Sequence, residues 1–553
     1  MKRFTQLVLV GAMVLTLVSL AAAQQAPQTV ARVGNYIEVA PDVFMHIIAT
    51  GDMRWRTGQN YDFENRVQDR VESREVNDTS VMSQDCDCLH FQAHFGVDMR
   101  YRKDLTFHLR FRHWDIYDAN IADDRETDLT PGGTDKFGRD PDGEGENMNL
   151  QQAQINYKFP NTPVSVRLGW QLWYLDQAGL ISDNSPRAAI FFTAEPFEAH
   201  ASVVIQREST RLGLLNDNDY LWYTFGVAYT AKPHRFQLDI AYFRDRFNGA
   251  PTGTTATDPS PPSPAGARGG LPGFQGQKLD AVTIMPSWGG TIGPISALVQ
   301  GYIIVGTAES SNLAAVAGAN RDFDIFAAGA IGYAEANLGL VTPFVGMAFG
   351  TGDNNPTDTK LKGFSHIPNQ QNSSAITGTE RFSHLDRAVS FGSRDFKNPA
   401  RAAGTNGVFG GSQWGHSVGQ PFSDRLGNRA HPGINSTLSN PGLILPFGGV
   451  KVFPAQGHEI DVIYLYRLMM TSAVIDAALG VPVSNTLSHE LNAQWEWTLS
   501  RHFDFRIAGS VVFPVGGVKD IARTSTTFPC TAASPCTGDD PLLFGEARVR
   551  ARF

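Results

Sequence analysis

Short segments in which apolar and polar side chains alternate constrain the fold of this chain more than any other sequence feature. Residues 545–553 read GEARVRARF, so Ala547, Val549, Ala551 and Phe553 alternate with Arg548, Arg550 and Arg552. Strand side chains point alternately to opposite faces, which makes one face of this segment apolar and the other cationic. A soluble sandwich rarely tolerates three inward arginines, whereas a membrane barrel has a lipid-facing outside and a polar inside.

The same alternation recurs along the chain, for example in residues 46–57, 91–102 and 105–112. Tight connections such as Lys103-Asp104 are followed by long polar ones. This rhythm is typical of bacterial outer-membrane barrels, which have short periplasmic turns and long extracellular loops. We therefore predict an all-β protein, a transmembrane antiparallel β-barrel of about 18 strands, with 16 as the alternative.

The N-terminus has the pattern of an export signal. Lys2 and Arg3 precede an apolar stretch, and Ala21, Ala22 and Ala23 follow it. We predict a signal peptide at residues 1–23, a periplasmic leader at 24–42, a barrel at 43–553 and a location in a Gram-negative outer membrane. A single membrane-spanning anchor is the alternative for the apolar stretch.

One segment breaks the strand pattern for much longer than the others. Residues 351–457 are rich in Gly, Asn, Ser and Pro, and we interpret them as one long extracellular loop. Two states are open for this loop: a constriction or plug inside the lumen, or a disordered surface excursion. Between the segments at 460–466 and 491–497, the direction of the chain requires one more strand, which we place at residues 473–478.

The four cysteines lie in two close pairs, Cys86 with Cys88 and Cys530 with Cys536. Disulfides are expected in an exported protein. Cys530 and Cys536 can close a small loop, while the two-residue spacing of Cys86 and Cys88 strains a direct bond, so pairing between the two segments is the alternative. The pattern lacks a C-x-x-C-H haem motif, and we predict no cofactor and no metal site.

Composition and charge exclude several function classes. Hydrophobic residues make up 42% of the chain without a long apolar run after the N-terminus, which argues against transmembrane helices. The net charge of −9 and the lack of a basic tail give no reason to expect nucleic-acid binding. No Ser-His-acid arrangement stands out on the predicted wall, so we predict that the protein is not an enzyme.

Two stretches resemble the alginate-export-type outer-membrane porins. One comprises residues 150–157 (LQQAQINY) followed by 164–172 (VSVRLGWQL), and the other comprises residues 489–509 followed by 512–517 (VFPVGG). The resemblance implies an 18-stranded porin, and the named member of that family exports the polyanion alginate through an arginine-rich pore. This chain departs where the family has Arg-Gln after Gly, because Gly169 is followed by Trp170-Gln171.

Arginines concentrate on the predicted inner face of the first three strands and the last strand, which become neighbours when a barrel closes. They are Arg54, Arg56, Arg100, Arg102, Arg110, Arg112, Arg548, Arg550 and Arg552, with Arg167 nearby. Glu490, Glu496 and Asp504 are expected to face inward on the strands that approach closure from the other side. We expect a cationic wall that attracts anions, with a transverse field toward the acidic residues. The alternative is that the arginines pair with carboxylates such as Asp52 and Asp98 and only solvate the wall.

These patterns predict a porin that gives passive or facilitated passage to small anionic or sugar-acid solutes, including oligosaccharides. The expected partners are outer-membrane lipid and these solutes, and the oligomeric state is left open. The alternative function is a structural barrel sleeve for a periplasmic or outer-membrane partner, such as a cytochrome conduit.

Overall fold

The computed structural model describes residues 32–33, 36–59, 88–118, 149–177, 182–206, 220–246, 278–310, 321–355, 358–364, 442–523, 537, 539 and 541–552. In this part of the chain, 21 strands form one sheet. The strands are β1 Arg32–Val33, β2 Tyr36–Ala40, β3 Val43–Gln59, β4 Cys88–Tyr101, β5 Leu105–Asp118, β6 Asn149–Lys158, β7 Val164–Tyr174, β8 Ser182–Ala194, β9 Phe197–Gln206, β10 Tyr220–Ala231, β11 His234–Arg246, β12 Lys278–Ile292, β13 Ile295–Ser310, β14 Arg321–Ala336, β15 Val341–Gly350, β16 Lys360–Leu361, β17 Leu443–Val452, β18 His458–Met469, β19 Thr486–Thr498, β20 Phe503–Pro514 and β21 Leu542–Arg552.

The long strands close into an antiparallel barrel. Each pairs with its neighbour in sequence, and β21 pairs with β3, where Arg548 lies opposite Arg54. The closed wall consists of β3 to β15 and β17 to β21, which are 18 strands. The predicted fold class and strand number are confirmed, and β1, β2 and β16 are short additions to the wall.

The two faces of the wall differ as the alternation predicts. Outward side chains are apolar and exposed, among them Ile47, Phe326 and Val345, which are 59%, 63% and 63% exposed. Inward side chains include buried polar and charged groups such as Gln300 and Glu490, both 0% exposed. The outer face is therefore apolar and the lumen face is polar over much of its area.

Short and long connections alternate between the two ends of the barrel. The short connections are residues 102–104, 159–163, 195–196, 232–233, 293–294, 337–340, 453–457 and 499–502, and we call this the short-turn end. At this end the Lys232 ammonium donates a hydrogen bond to the Glu195 carboxylate at 2.6 Å. This hydrogen bond lowers the pKa of Glu195 and raises the pKa of Lys232. At the other end, the strand ends Gln59 and Cys88, and Arg246 and Lys278, are separated by longer stretches of sequence, and we call this the long-loop end.

Two predictions about individual elements were wrong, although the total number of strands was right. The predicted loop 351–457 contains a strand, β17, which pairs with β15 and β18. The strand predicted at residues 473–478 is instead helix α1, Ala473–Leu479. Pro446, Gly448 and Gly449 interrupt the alternation of β17. Because the sequence did not reveal β17, an extra strand was needed to reverse the chain direction, and it was wrongly placed at residues 473–478.

A second helix, α2, Gly516–Arg523, packs on β19 at the long-loop end. Glycine is required at the start of α2, because a Cβ on Gly517 would collide with the backbone oxygens of Ser484 and Thr486. Ile475 of α1 and Val518 of α2 are each 1% exposed, so both helices contribute to the same buried cluster. Among the residues that the structure describes, no helix is both long and apolar enough to cross a membrane.

Strand β2 completes the wall beside the point of closure. The pairing of β21 with β3 stops at Thr50, which lies opposite Arg552. Below this point, β2 pairs with β3, where Ile37 lies opposite Met45. Strand β2 therefore pairs with the part of the β3 edge that β21 does not cover.

Candidate functional site

The lumen is narrowed by a hairpin that leaves the wall. Pairing between β6 and β7 ends at Ala153 opposite Trp170, and pairing between β8 and β9 begins at Arg187 opposite Val204. Residues 171–174 and 182–185 therefore pair only with each other among the described strands, and we call residues 171–177 and 182–186 the lumen hairpin. Gly169, just before this point, has a φ of 112°, and a Cβ there would collide with the Ala153 carbonyl. Glycine thus permits the chain to turn away from the wall.

The tip of the lumen hairpin contacts inward side chains of β11 and β13, which lie three and five strands beyond β8 in the wall. The Tyr302 hydroxyl of β13 donates to the Asp176 carboxylate at 2.5 Å. The Gln237 side-chain amide of β11 donates to the Leu175 carbonyl at 3.3 Å. Leu175 and Asp176 are 1% and 3% exposed. The tip of the hairpin is therefore bound to the inner faces of β11 and β13, away from the strands that carry its base.

Arg187 fixes the base of the lumen hairpin. Its guanidinium donates to the Ser202 hydroxyl at 2.7 Å and lies 4.5 Å from the ring centroid of Trp222. The Gln171 amide donates to the Arg187 carbonyl at 3.0 Å. Arg187 is only 3% exposed, so it holds the hairpin to the wall and is not presented to a passing solute.

His200 and Asp239 meet near the middle of the same wall. They lie on β9 and β11, and Gly226 of β10 stands opposite both of them. The imidazole Nε2 is 3.7 Å from the carboxylate Oδ1 because Gly226 has no side chain between them. A Cβ on Gly226 would collide with both groups.

The predicted arginines are brought together at the seam. Arg548 is 4% exposed on the lumen face, while the side chains of Arg550 and Arg552 are 15% and 41% exposed. By strand alternation and register, the same face holds positions 54 and 56 of β3, position 100 of β4, and positions 110 and 112 of β5. The side chains of Arg54, Arg56 and Arg112 lie outside the part of the chain that the structure describes in detail. Arg167 lies farther round on β7, where it donates to Asn156 at 2.8 Å.

Arg102 is not on the strand as predicted. Strand β4 ends at Tyr101, and Arg102 lies in the turn with a φ of 51°. Its side chain is 62% exposed and its Nε lies 3.5 Å from a carboxylate oxygen of Asp42. The turn takes Arg102 out of the alternating series, so it is not part of the strand-borne wall.

The predicted acidic residues lie beside the arginines and not across from them. Asp504 of β20 accepts from Arg550 at 2.8 Å and from Arg552 at 2.7 Å. Glu490 accepts from Arg467 at 2.9 Å. Glu496 lies opposite Arg506 in the register of β19 and β20. The expected transverse field is therefore replaced, in these described strands, by local pairing between neighbouring strands.

The first residues after β15 bear on the predicted plug. Thr351 and residues 358–361 return along the edge of β14, where Leu361 lies beside Ile325. Phe364 is 0% exposed, and its ring centroid lies 5.8 Å from that of Tyr302. The chain thus enters the lumen at Phe364. Residues 365–441 lie outside the described residues, and both states proposed for this loop stay predictions.

Several other predictions fall on undescribed residues. The signal peptide, Cys86, Cys530 and Cys536 lie outside the described ranges, and Cys88 is placed only as the first residue of β4. The disulfide alternatives therefore stay open. Within the ranges that are described, no group of three or more His, Cys, Asp or Glu side chains is arranged to hold a metal ion.

Sequence reasoning missed the residues that shape the lumen. Arg187, Tyr302 and Arg467 were not predicted as site residues. Arg467 follows the outward Tyr464 and Tyr466 on the opposite parity, so the alternation of β18 could have found it. No signal in the sequence identifies Tyr302 as the partner of Asp176, because the two residues are 126 positions apart.

No protein-family model matches the chain, and no curated protein matches it by sequence. Solved structures of similar shape include OccAB1 of Acinetobacter baumannii, with 8% identity over 93% of this chain and 97% of that chain and a TM-score of 0.45. OprB of Pseudomonas putida has 10% identity over 92% and 94%, with a TM-score of 0.40. The outer-membrane channel DcaP of Acinetobacter baumannii has 9% identity over 93% and 98%, with a TM-score of 0.36. The strand pairing described above, and not these similarities, establishes the barrel.

Proposed function

We propose that the protein is an outer-membrane channel that gives small anionic or sugar-acid solutes, including oligosaccharides, passive or facilitated passage. A closed barrel with an apolar outer face and a polar lumen suits a bilayer, because each backbone group is paired within the wall. In this arrangement the short-turn end faces the periplasm and the long-loop end faces the outside.

The observation that carries the anion preference is the excess of arginine over carboxylate at the seam. On the lumen-facing positions of β20, β21, β3, β4 and β5, the arginines are Arg506, Arg548, Arg550, Arg552, Arg54, Arg56, Arg100, Arg110 and Arg112, and the carboxylates are Asp504, Glu546, Asp52, Asp98 and Asp118. Local pairing therefore leaves a positive surplus. Asp504, for example, serves two guanidinium groups.

Part of this surplus is available to a solute. The side chains of Arg110 and Arg552 are 36% and 41% exposed. Guanidinium groups stay charged at any relevant pH and bind carboxylates with two parallel hydrogen bonds. A carboxylated solute in the lumen would therefore find cationic donors on this wall.

The channel is better supported than the alternative of a sleeve around a partner. The lumen hairpin occupies part of the space that a threaded partner would need, and it is bound at both its base and its tip. The specific resemblance to alginate exporters stays a prediction, because it rests on two sequence stretches.

Planar-bilayer recording tests the proposal. The purified protein is inserted into a bilayer that separates two KCl concentrations, and the reversal potential gives the ratio of chloride to potassium permeability. We expect stable conductance and a ratio above one. A ratio below one, or no conductance from folded protein, would contradict the proposal.

A pair of variants links the ratio to the seam. Arg110→Gln removes one accessible lumen charge, and we expect it to lower the permeability ratio by about twofold. Lys232→Gln is the matched control, because it removes the same charge from a side chain that is 78% exposed in a short turn. An equal change in both variants would mean that total charge, and not the lumen wall, sets the ratio.

A further inference from the structure

Two histidines flank a carboxylate at the short-turn end of the lumen. His46 of β3 lies opposite Asp98 of β4, and Asp98 lies opposite His108 of β5. The His108 Nδ1 is 2.7 Å from the Asp98 Oδ1. These three side chains form one row across adjacent strands, which we call the histidine row.

Arginine and tyrosine surround the histidine row. Arg110 of β5 reaches over Gly96, and its Nη2 lies 3.8 Å from the Asp98 carboxylate. Tyr36 of β2 packs on His46 with ring centroids 5.4 Å apart. The Arg100 Nε donates to the Arg102 carbonyl at 2.9 Å, one position beyond the row.

The remaining neighbours of the histidine row lie on β2 and β6. On β6, Gln154 lies opposite His108, and Asn156 donates to Thr106 at 3.2 Å. On β2, the Glu38 carboxylate accepts from the Asp42 amide at 3.4 Å. The charged groups near the two imidazoles in the described strands are therefore Asp98, Arg100 and Arg110, with the Glu38 carboxylate on the same strand as Tyr36.

The sign of the pH effect follows from these groups. At neutral pH the Asp98 carboxylate offsets one nearby guanidinium. Imidazoles take up protons between pH 8 and 5, a range in which carboxylates with ordinary pKa values stay ionised and arginine stays charged. The side chains of His108 and Arg110 are 21% and 36% exposed to the lumen, so the charge of the row is presented to a passing solute.

We propose that His46 and His108 are specificity-determining residues that strengthen the anion preference of the short-turn mouth as pH falls. The inference rests on the proposed channel function. It adds that pH changes the anion preference of the channel and that His46 and His108 are responsible for the change. Small acidic solutes would pass more readily in an acidic periplasm than in a neutral one.

Reversal potentials at pH 7.5 and 5.5 test this inference. For the native protein, we expect the ratio of chloride to potassium permeability to rise by about twofold on acidification, since charge in a narrow lumen sets ion preference. The double variant His46→Gln/His108→Gln should lose at least about half of this rise, because His94 on β4 is a further imidazole on the lumen side. His489→Gln is the control: His489 packs on Tyr466 of the outer face, with ring centroids 4.5 Å apart.

A permanently charged variant provides the converse test. His108→Lys should raise the ratio at pH 7.5 toward the native value at pH 5.5 and reduce the further rise on acidification. Far-ultraviolet circular dichroism and the gel shift on heating confirm that each variant is folded before it is recorded.

The outcomes separate this inference from the channel proposal. An anion-preferring native channel whose ratio is the same at both pH values would overturn the role of the histidines and leave the channel intact. An undiminished rise in the double variant would overturn it as well, since another group would then be responsible. A folded protein without conductance would remove both proposals.

Discussion

The Tyr302 hydroxyl donates a 2.5 Å hydrogen bond to Asp176, although β13 and the strands of the hairpin that carries Asp176 are not neighbours in the wall. Both side chains are buried, at 1% and 3% exposed. This bond joins the tip of the lumen hairpin to β13. The width of the lumen at this level therefore depends on a side-chain contact as well as on the number of strands.

Tyr302→Phe should loosen the lumen hairpin. The substitution keeps the ring and leaves a buried carboxylate without this donor, at a cost of about 1 to 3 kcal/mol. We expect more frequent current fluctuations and a higher mean conductance in single-channel recordings. Tyr223→Phe, on an outward side chain that is 45% exposed, is the control and should conduct like the native protein. A quiet record of native amplitude from Tyr302→Phe would exclude the tether.

Gly226→Ala should destabilise the barrel. The new Cβ would collide with His200 and Asp239, and overpacking of this kind costs about 1 to 3 kcal/mol. Unfolding in guanidinium, followed by tryptophan fluorescence in detergent, measures the loss. Gly332→Ala is a matched control on β14, because a Cβ there meets nothing within 4 Å. Equal midpoints for the two variants would contradict the role given to Gly226.

Glu490→Gln should strongly destabilise the barrel. Glu490 and Arg467 are 0% and 3% exposed, and loss of one partner from a buried ion pair costs about 3 to 5 kcal/mol. The double variant Arg467→Met/Glu490→Leu should recover most of the stability, because no charge is then left buried without its partner. Denaturant titration of both variants checks this. If the double variant proved less stable than the single one, the pair would contribute more than mutual neutralisation.

Val345→Arg should destabilise the protein only in lipid. Val345 is 63% exposed on the outer face of β15, and arginine on the lipid face of a barrel costs about 2 to 4 kcal/mol near the bilayer midplane. Leu338→Arg is the control, since Leu338 is 65% exposed in a short turn, where the cost should be close to zero. Refolding yields into lipid vesicles measure the difference. Equal yields would place Val345 outside the bilayer.

The sequence predicts the wall well because each strand carries its own alternation. Arg548 and Arg54 could be placed on one face of the seam from parity and from barrel closure alone. Prediction failed where local chemistry interrupts parity. Pro446 and Gly448 interrupt the alternation of β17, so that strand was not predicted. Arg102 adopts a left-handed turn conformation, so it is not one of the alternating strand residues.

The contents of the lumen could not be predicted in the same way. The contact of Asp176 with Tyr302, and that of Arg187 with Trp222, join residues far apart in sequence. No periodic pattern encodes such contacts, because they depend on where a hairpin leaves the wall. The pairing of Asp504 with Arg550 was likewise a matter of register, which alternation leaves undetermined.

The edge of β3 that is shared by β21 and β2 has a kinetic consequence. Pairing Thr50 with Arg552 joins residues from opposite ends of the sequence, and such distant contacts carry the largest loop-closure entropy. The β2–β3 hairpin is local and can form without waiting for the rest of the chain. Folding is then expected to begin with the short β2–β3 part of the seam already formed, and β21 pairs last, with the longer part of the β3 edge that β2 leaves free.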